Sequence, residues 1–310
     1  MHLLIPFASS PTEAGRHALS TLALPHLSAL LARLRPTQRH GNNEYSLNAP
    51  HEHALAATWG WQGGDGTLPF AAQAAQDDGI DVGERAWGLL SPSHWLLGRD
   101  NVTLLDPAEL ALDEAGSKGL FEAVRGLFES EGFALAWGAP LRWYAAHDSL
   151  DGLPCASLDR VIGRHVDRWL PEAQRGRLLR RLQSEVQMLL YPHALNEARE
   201  AAGQLTVNSF WLSGCGRAQP RRGGETVQVA SELRASLLSE DWAAWAEAWA
   251  AVDRGPLREL LERCRRGEPV ALTLCGERLA QRYEPASLSW MDRLTARWKA
   301  PSAQAALEAL

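Results

Sequence analysis

Apolar positions along the chain fall into two patterns, short continuous runs and longer stretches in which leucine, valine or phenylalanine returns every three to four residues, and their alternation predicts strands interleaved with helices. The opening HLLIPFA is a continuous run and reads as a buried strand. A turn containing proline and serine leads from it to LPHLSALLARL, in which Leu27, Leu30, Leu31 and Leu34 share one helical face. From Arg35 to Pro50 the pattern lapses, and RPTQRHGNNEYSLNAP reads as a surface loop. A helix is expected from Glu52 to Trp61 and another from Leu68 to Gln76, separated by a glycine-rich break over Gly63 to Gly66.

Two strands follow, Ala86 to Leu90 and Val102 to Leu105, with Pro92 expected to interrupt any longer one. Pro107 opens a helix that carries Leu110, Leu120, Val124, Leu127 and Phe128 and stops at Gly132, after which FALAWG and LRWYAA are strands. Leu178, Leu179, Leu182, Val186, Leu189 and Leu190 mark one face of a helix from Pro171 to Tyr191. VNSFWL, VQVA and PVALTLCG are three further strands. Between the last two lie helices over Glu240 to Val252 and Pro256 to Arg266, parted by Gly255 and Pro256. The fold class is therefore α/β, a mixed sheet flanked by helices. No internal repeat or linker divides the chain. The expected organisation is a single α/β domain over residues 1–285 and a C-terminal amphipathic helix and tail over 286–310, with Leu288, Met291 and Leu294 on one side and Arg293 and Arg297 on the other.

Composition narrows the functional classes. With 310 residues, 45% hydrophobic and 22% charged, the chain can bury a full core, and 31 Lys and Arg against 37 Asp and Glu leave a net charge of −6 that disfavours general coating of nucleic acid while leaving a specific nucleic-acid contact open. No uncharged apolar run approaches the roughly 18 to 20 residues of a membrane helix, and MHLLIPFASS lacks the basic flank of a signal peptide, so a cytoplasmic protein without membrane contact is expected. Cys155, Cys215, Cys264 and Cys275 form no Cys-x-x-Cys pair, which suggests neither a zinc knuckle nor a disulfide framework, only four buried thiols. Trp87, Trp95, Trp137, Trp143 and Trp211 lie in apolar segments and belong to the core or its rim.

The most distinctive stretch is EVQMLLYPHALNEAREAAGQLTVNSFWLSGCG, from Glu185 to Gly216. Its His193, Asn196, Arg199 and Gly203, followed by Asn208, a short apolar run, Gly214 and Gly216, resemble a pattern of the archaeal-type cofactor-independent phosphoglycerate mutases, members of the alkaline phosphatase superfamily. Together with SPSHWLLGRDNVTLLD and LPCASLDRVIGR, the stretch also resembles the RpfE-type regulatory proteins of proteobacteria, from about Trp87 onward. The resemblance implies an alkaline-phosphatase-like remnant. In that family phosphoryl transfer uses two divalent metals held by Asp and His residues and a serine nucleophile. The first metal ligand follows the N-terminal strand in an Asp-Gly context, whereas here the strand runs into Pro6, Phe7, Ala8, Ser9 and Ser10.

Read from the residues alone, the same stretch is also architecture: Asn196 and Arg199 can bond to backbone, Gly203 can end a helical turn at positive φ, and Gly214 and Gly216 let the chain leave a strand sharply. As an anion site, Gly214, Gly216 and Arg217 offer backbone N–H groups and a guanidinium, but no helix follows them as phosphate cradles normally require. Arg160 and Arg164 are further candidate anion contacts. Arg164, Arg168, Arg175, Arg177, Arg180 and Arg181 form a basic run that reads as a solvated face, with internal pairing or an anionic ligand as alternatives. Asp78, Gly79 and Asp81 read as a solvated turn. His51 and His53 are weak metal candidates, because a helix started by Pro50 turns their rings about 200° apart. Cys155 has His147 and His165 nearby in sequence, without the orienting partner that a nucleophile needs. No Gly-x-Ser-x-Gly elbow, Walker A loop or dinucleotide fingerprint occurs.

The expectation is a non-catalytic regulatory or ligand-binding protein derived from a phosphoglycerate mutase-like fold, with no cofactor. Its partner is a small anionic ligand or another protein. The alternatives are a metal-dependent phosphoglycerate mutase-like phosphotransferase and a protein-interaction module that docks through the C-terminal helix.

Overall fold

The computed structural model describes residues 1–41, 43–99, 101–172, 174, 176–285 and 302–310. The amphipathic helix expected around Leu288, Met291 and Leu294 lies outside the described residues. No described helix is long and apolar enough to cross a membrane. The architecture is α/β with mixed sheet pairing, as the hydrophobic pattern predicts. Where one continuous body to residue 285 was expected, the backbone gathers into two compact units, one of residues 1–60 with 221–310 and one of residues 61–220.

In the first unit, β1 (His2–Ile5), β2 (Leu34–Gly41), β9 (Val227–Val229), β10 (Ala271–Cys275) and β11 (Leu279–Pro285) form one sheet in the order β2-β11-β10-β1-β9. β1 lies parallel to both β9 and β10, and β11 runs antiparallel to β10 and β2. Successive side chains point to opposite faces. Leu3, Ile5, Leu272, Leu274 and Tyr283 join one core with Leu27, Leu30 and Leu31 of α2 (Pro25–Leu31), Trp245 and Trp249 of α10 (Trp242–Val252), and Leu260 and Leu261 of α11 (Arg258–Arg265). The opposite face, with His2, Thr273 and Arg282, belongs to the α3 side (Pro50–Trp59).

The stretch expected as a loop from Arg35 to Pro50 begins instead with β2. Its polarity is that of an exposed sheet edge, where Arg35, Gln38 and Arg39 blunt pairing with other chains. The expected break at Gly255 and Pro256 is also absent. α10 and α11 are joined by a π turn over Asp253–Leu257 that accommodates Pro256, which has no N–H to give. Asp253 in that turn is buried and caps α2: its carboxylate accepts the Leu27 N–H at 2.9 Å, the His26 N–H at 3.3 Å and the His26 ring Nδ1 at 2.8 Å.

The second unit has an antiparallel sheet, β6 (Ala134–Ala139), β7 (Arg142–Ala146), β3 (Ala86–Ser93) and β8 (Ser209–Arg217), and a separate hairpin, β4 (Trp95–Leu97) with β5 (Val102–Leu104). Trp143 and Ala145 face α5 (Glu114–Ser130) and α7 (Arg177–Leu190), while Tyr144 and Ala146 face the alanines Ala71, Ala72 and Ala75 of α4 (Phe70–Asp77). Pro92 lies within β3 and does not end it. β7 pairs only as far as Leu90, so at Pro92 the strand has β8 on one side and no ladder on the other that would demand an N–H. The helix expected from Pro107 opens with a 3-10 turn, Pro107–Leu110, before α5 begins.

Replacing Asp253 by alanine removes three acceptor contacts from a buried cap. Urea denaturation of D253A is expected to show a loss of about 2 to 4 kcal/mol with an unchanged m-value.

Candidate functional site

The segment from Glu185 to Gly216 supplies structural bonds. α7 ends at Leu190 and is followed by α8 (Ala194–Ala201), capped by the His193 ring. Asn196 is buried. Its amide nitrogen donates to the Leu190 and Val207 carbonyls, both at 2.8 Å, and its oxygen accepts the Val207 N–H at 3.0 Å. Arg199 donates to the carbonyls of Leu205, at 2.8 Å, and Leu110, and burial lowers its pKa. It lines a surface cavity of about 380 Å³ with Asp113, Leu120 and Leu195. Asn208 clasps the Trp95 backbone, accepting its N–H at 2.7 Å and donating to its carbonyl at 3.0 Å.

Gly214 and Gly216 do not release the chain from the strand as expected; they lie inside β8. Gly214 and Cys215 form a bulge opposite Gly88, because Trp87 pairs with Gly216 and Leu89 with Ser213. Gly214 has φ +65°, and a Cβ there would stand 2.7 Å from the Ala71 nitrogen of α4. Arg217 pairs with Asp151 at 2.7 Å and with the Glu84 carbonyl. Arg160 is buried in the short helix Leu158–Val161, and Arg164 lies over the Trp169 ring at 5.6 Å. In the basic run, Arg181 pairs with Glu131 and Glu185, and Arg180 with the Pro171 carbonyl.

Two other expectations are revised, for Asp78 and for the four buried thiols, and the helix expected to carry His51 and His53 is present. Asp78 is no solvated turn residue. It takes Arg142 in a bidentate pair at 2.8 and 2.9 Å and the Tyr144 hydroxyl at 2.7 Å, and the Arg142 bonds hold its carboxyl below the usual range. His51 and His53 sit on α3, the first with its ring 5.6 Å from that of Phe7 and the second 3.4 Å from the Ser46 hydroxyl. Of the four cysteines, Cys264 is only half-buried, and Cys155 and Cys215 are neighbours in space.

A different cluster forms at the carboxyl end of β1. There the ladder to β10 continues beyond the strand through the Ala8 N–H and the Cys275 carbonyl at 2.8 Å, and Phe7 takes a left-handed φ of +57°, a backbone cost that concentrates at functional turns. The turn places Ser9 and Ser10 just before α1 (Glu13–Ser20). Ser10 accepts the Thr12 N–H at 3.3 Å, and the Thr12 hydroxyl caps α1 by accepting the Gly15 N–H at 3.0 Å. A Cβ on Gly15 would lie 2.5 Å from Ser10, so the close approach of turn and helix needs glycine.

Ser9 is 7% exposed, and among the described residues its hydroxyl has no hydrogen-bond partner. It borders a cleft of about 290 Å³ with Ser10 and Arg16 from this turn and helix, Glu277 and Arg278 from the β10–β11 turn, and Glu308 from α12 (Ala303–Glu308). Arg16 is held to the Pro11 carbonyl at 2.5 Å, and Glu308 to Gln304 at 2.8 Å. The cleft therefore presents hydroxyls and charges of both signs. Among the described residues, no three His, Cys, Asp or Glu side chains gather where they could hold a metal ion.

The sequence marked Ser9 and Ser10 only as the place where a carboxylate is missing. It gave no sign of Arg16, Glu277, Arg278 or Glu308, because β11, whose turn from β10 carries Glu277 and Arg278, reads as a polar segment.

At the other end of the same strands, on the α3 face, His2 is fully buried. Its Nε2 donates to the Thr273 hydroxyl at 2.7 Å, and its Nδ1 accepts from Arg282 at 3.2 Å. Arg282 also meets Glu225 at 3.0 Å and Glu284 at 2.8 Å. Burial, and then the Arg282 charge, lower the pKa of His2 to about 3.

No family model matches the chain, and no curated protein matches it. Solved structures that align with it include a cofactor-independent phosphoglycerate mutase from Thermoplasma acidophilum DSM 1728, with 11% identity, 94% of this chain and 91% of that one covered, and a TM-score of 0.37. Another is the PH0037 protein from Pyrococcus horikoshii, with 13% identity, coverage of 94% and 89%, and a TM-score of 0.48. These figures concern chain fold and extend to no individual residue.

Two outcomes follow from this geometry. N196A strands the Val207 N–H and two carbonyls, so it is expected to cost about 3 kcal/mol in urea denaturation. For His2, the unfolded chain takes up a proton near pH 6.5 that the folded chain refuses until about pH 3. Stability is therefore full above pH 6.5 and is lost as pH falls toward 3, by about 1.4 kcal/mol per pH unit. Measured between pH 7 and 5, H2N should remove about 2 kcal/mol of that acid sensitivity.

Proposed function

We propose that this protein binds a small polar ligand carrying an anionic group in the cleft at the carboxyl ends of β1 and β10, and acts as a regulatory or ligand-binding protein without phosphotransferase turnover. The observation that carries the reading is Ser9, a residue only 7% exposed that borders the cleft beside Arg16 and Arg278 and whose hydroxyl has no partner in the described chain. A hydroxyl open to the cleft can donate a hydrogen bond to an acceptor on the ligand. Its position supports the same reading, since open α/β sheets take ligands outside the carboxyl ends of their strands. Arg16 and Arg278 would meet the anionic group, while Glu277 and Glu308 favour a ligand whose remainder is neutral or hydroxylated. The phosphotransferase alternative suggested by the sequence resemblance needs a metal-binding carboxylate after β1, where this chain has Ser9 and Ser10.

Calorimetric titration with inorganic phosphate and with 3-phosphoglycerate tests the proposal. Binding of at least one probe is expected, weakened about tenfold in S9A and in R16A with melting temperatures unchanged. Failure of both probes to bind, or equal affinity in both variants, overturns the assignment of ligand and site. Conversion of 3-phosphoglycerate to 2-phosphoglycerate with Mn²⁺, abolished by a chelator, overturns the non-catalytic reading.

A further inference from the structure

Cys155 and Cys215 are 60 residues apart in sequence, yet their sulfurs lie 3.5 Å apart inside the second unit, within thiol hydrogen-bond distance and with both residues buried. Cys215 sits in the β8 bulge, facing Gly88 of β3, where a Cβ would come within 3.2 Å of its sulfur and 2.6 Å of Leu212. Glycine at position 88 therefore leaves room for the sulfur. Cys155 is placed by its own N–H, which donates to the Gly66 carbonyl at 2.9 Å.

We propose that Cys155 and Cys215 are a disulfide-forming pair, oxidised by a low-molecular-weight disulfide of the glutathione type. A disulfide needs its sulfurs at about 2.05 Å, so closure asks for about 1.5 Å of combined travel, within reach of side-chain rotation. In the exchange, one cysteine thiolate attacks the small disulfide, forming a mixed disulfide and releasing one small thiol. The second cysteine thiolate then attacks the protein-bound sulfur and releases the other small thiol. The two protons lost by the cysteines end on the two released thiols, so the protein loses two hydrogens and the small disulfide gains them.

The hydrogen bond that the Cys215 thiol gives to Cys155, with burial, holds its pKa well above the ordinary range, so the closed interior is inert. Exchange proceeds through molecules in which the Asp151–Ser157 segment, exposed at Asp151 and Gly152, has opened. The pair is reduced at rest and cross-linked when small disulfides accumulate. The bond then ties β8 to this segment and closes a loop that contains α7 and α8.

The test refolds the full chain from guanidinium in buffers containing reduced glutathione alone or excess glutathione disulfide. Remaining thiols are alkylated under denaturing conditions without reductant, and peptides are mapped by mass spectrometry. The expected result in the oxidised arm is a linked pair of peptides holding Cys155 and Cys215, alkylated Cys264 and Cys275, and a melting temperature raised by about 5 °C or more that falls back with dithiothreitol. The double variant C264A/C275A leaves the pair untouched and should lose the mass of two hydrogens under the same treatment. Alkylation of all four cysteines in the oxidised arm, or a link that joins any other two, overturns the proposal.

Discussion

The first unit depends on how one cation, the Arg282 guanidinium, is satisfied inside a sheet. A charge held away from water is tolerated only when partners surround it, and here Glu225, Glu284 and the neutral ring of His2 do so from the approach to β9, from β11 and from β1. Because Arg282 pairs in register with Thr273, whose hydroxyl takes the His2 proton, three strands are aligned by one network. A slip of one residue would turn Arg282 into the leucine core and Tyr283 out of it. The alignment fixed at this end of β1 and β10 also sets where their carboxyl ends stand, and hence the relation of the Ser9 turn to Glu277 and Arg278.

Elements with a strong period were legible in the sequence. The apolar runs of β1, β7, β8 and β10 and the leucine stripe of α7 name their own faces, and the structure buries most of the residues that those patterns select, with Leu189 of the stripe left exposed. Elements whose character comes from position in a sheet were not. β2 is polar because it is an edge, β11 because one of its faces carries the Arg282 network, and Pro92 is tolerated because β7 stops short of it. None of those reasons can be read from a window of a dozen residues.

The site divides in the same way. Asn196, Arg199, Asn208, Gly214 and Gly216 stand out in sequence because unusual residues are spaced regularly, but such spacing also marks the polar ties that a buried turn requires, and most of their polar atoms are spent on backbone. Arg16 and Arg278 sit in ordinary surroundings 262 positions apart, 278 less 16, and only the parallel pairing of β1 with β10 brings them to one cleft. The cysteine pair was hidden for the same reason, since a separation of 60 residues carries no motif.

The second unit is an insertion, and its two ends are stitched where they enter and leave. Gln62 and Gln219 bond reciprocally at 2.9 and 2.6 Å, and just outside them the Arg222 N–H meets the Trp59 carbonyl at 2.9 Å. During synthesis this sets an order of events. β1 emerges before both of its neighbours, β9 and β10, and cannot acquire either until the ribosome has delivered the whole inserted unit and more. The inserted unit holds every partner its own sheet requires and can complete itself in the interval, while the earliest strand, one of the most apolar segments of the chain, waits unpaired. The nascent chain therefore passes through a stage in which the inserted unit is finished and the sheet around β1 is not, the period in which a chaperone would have most to protect.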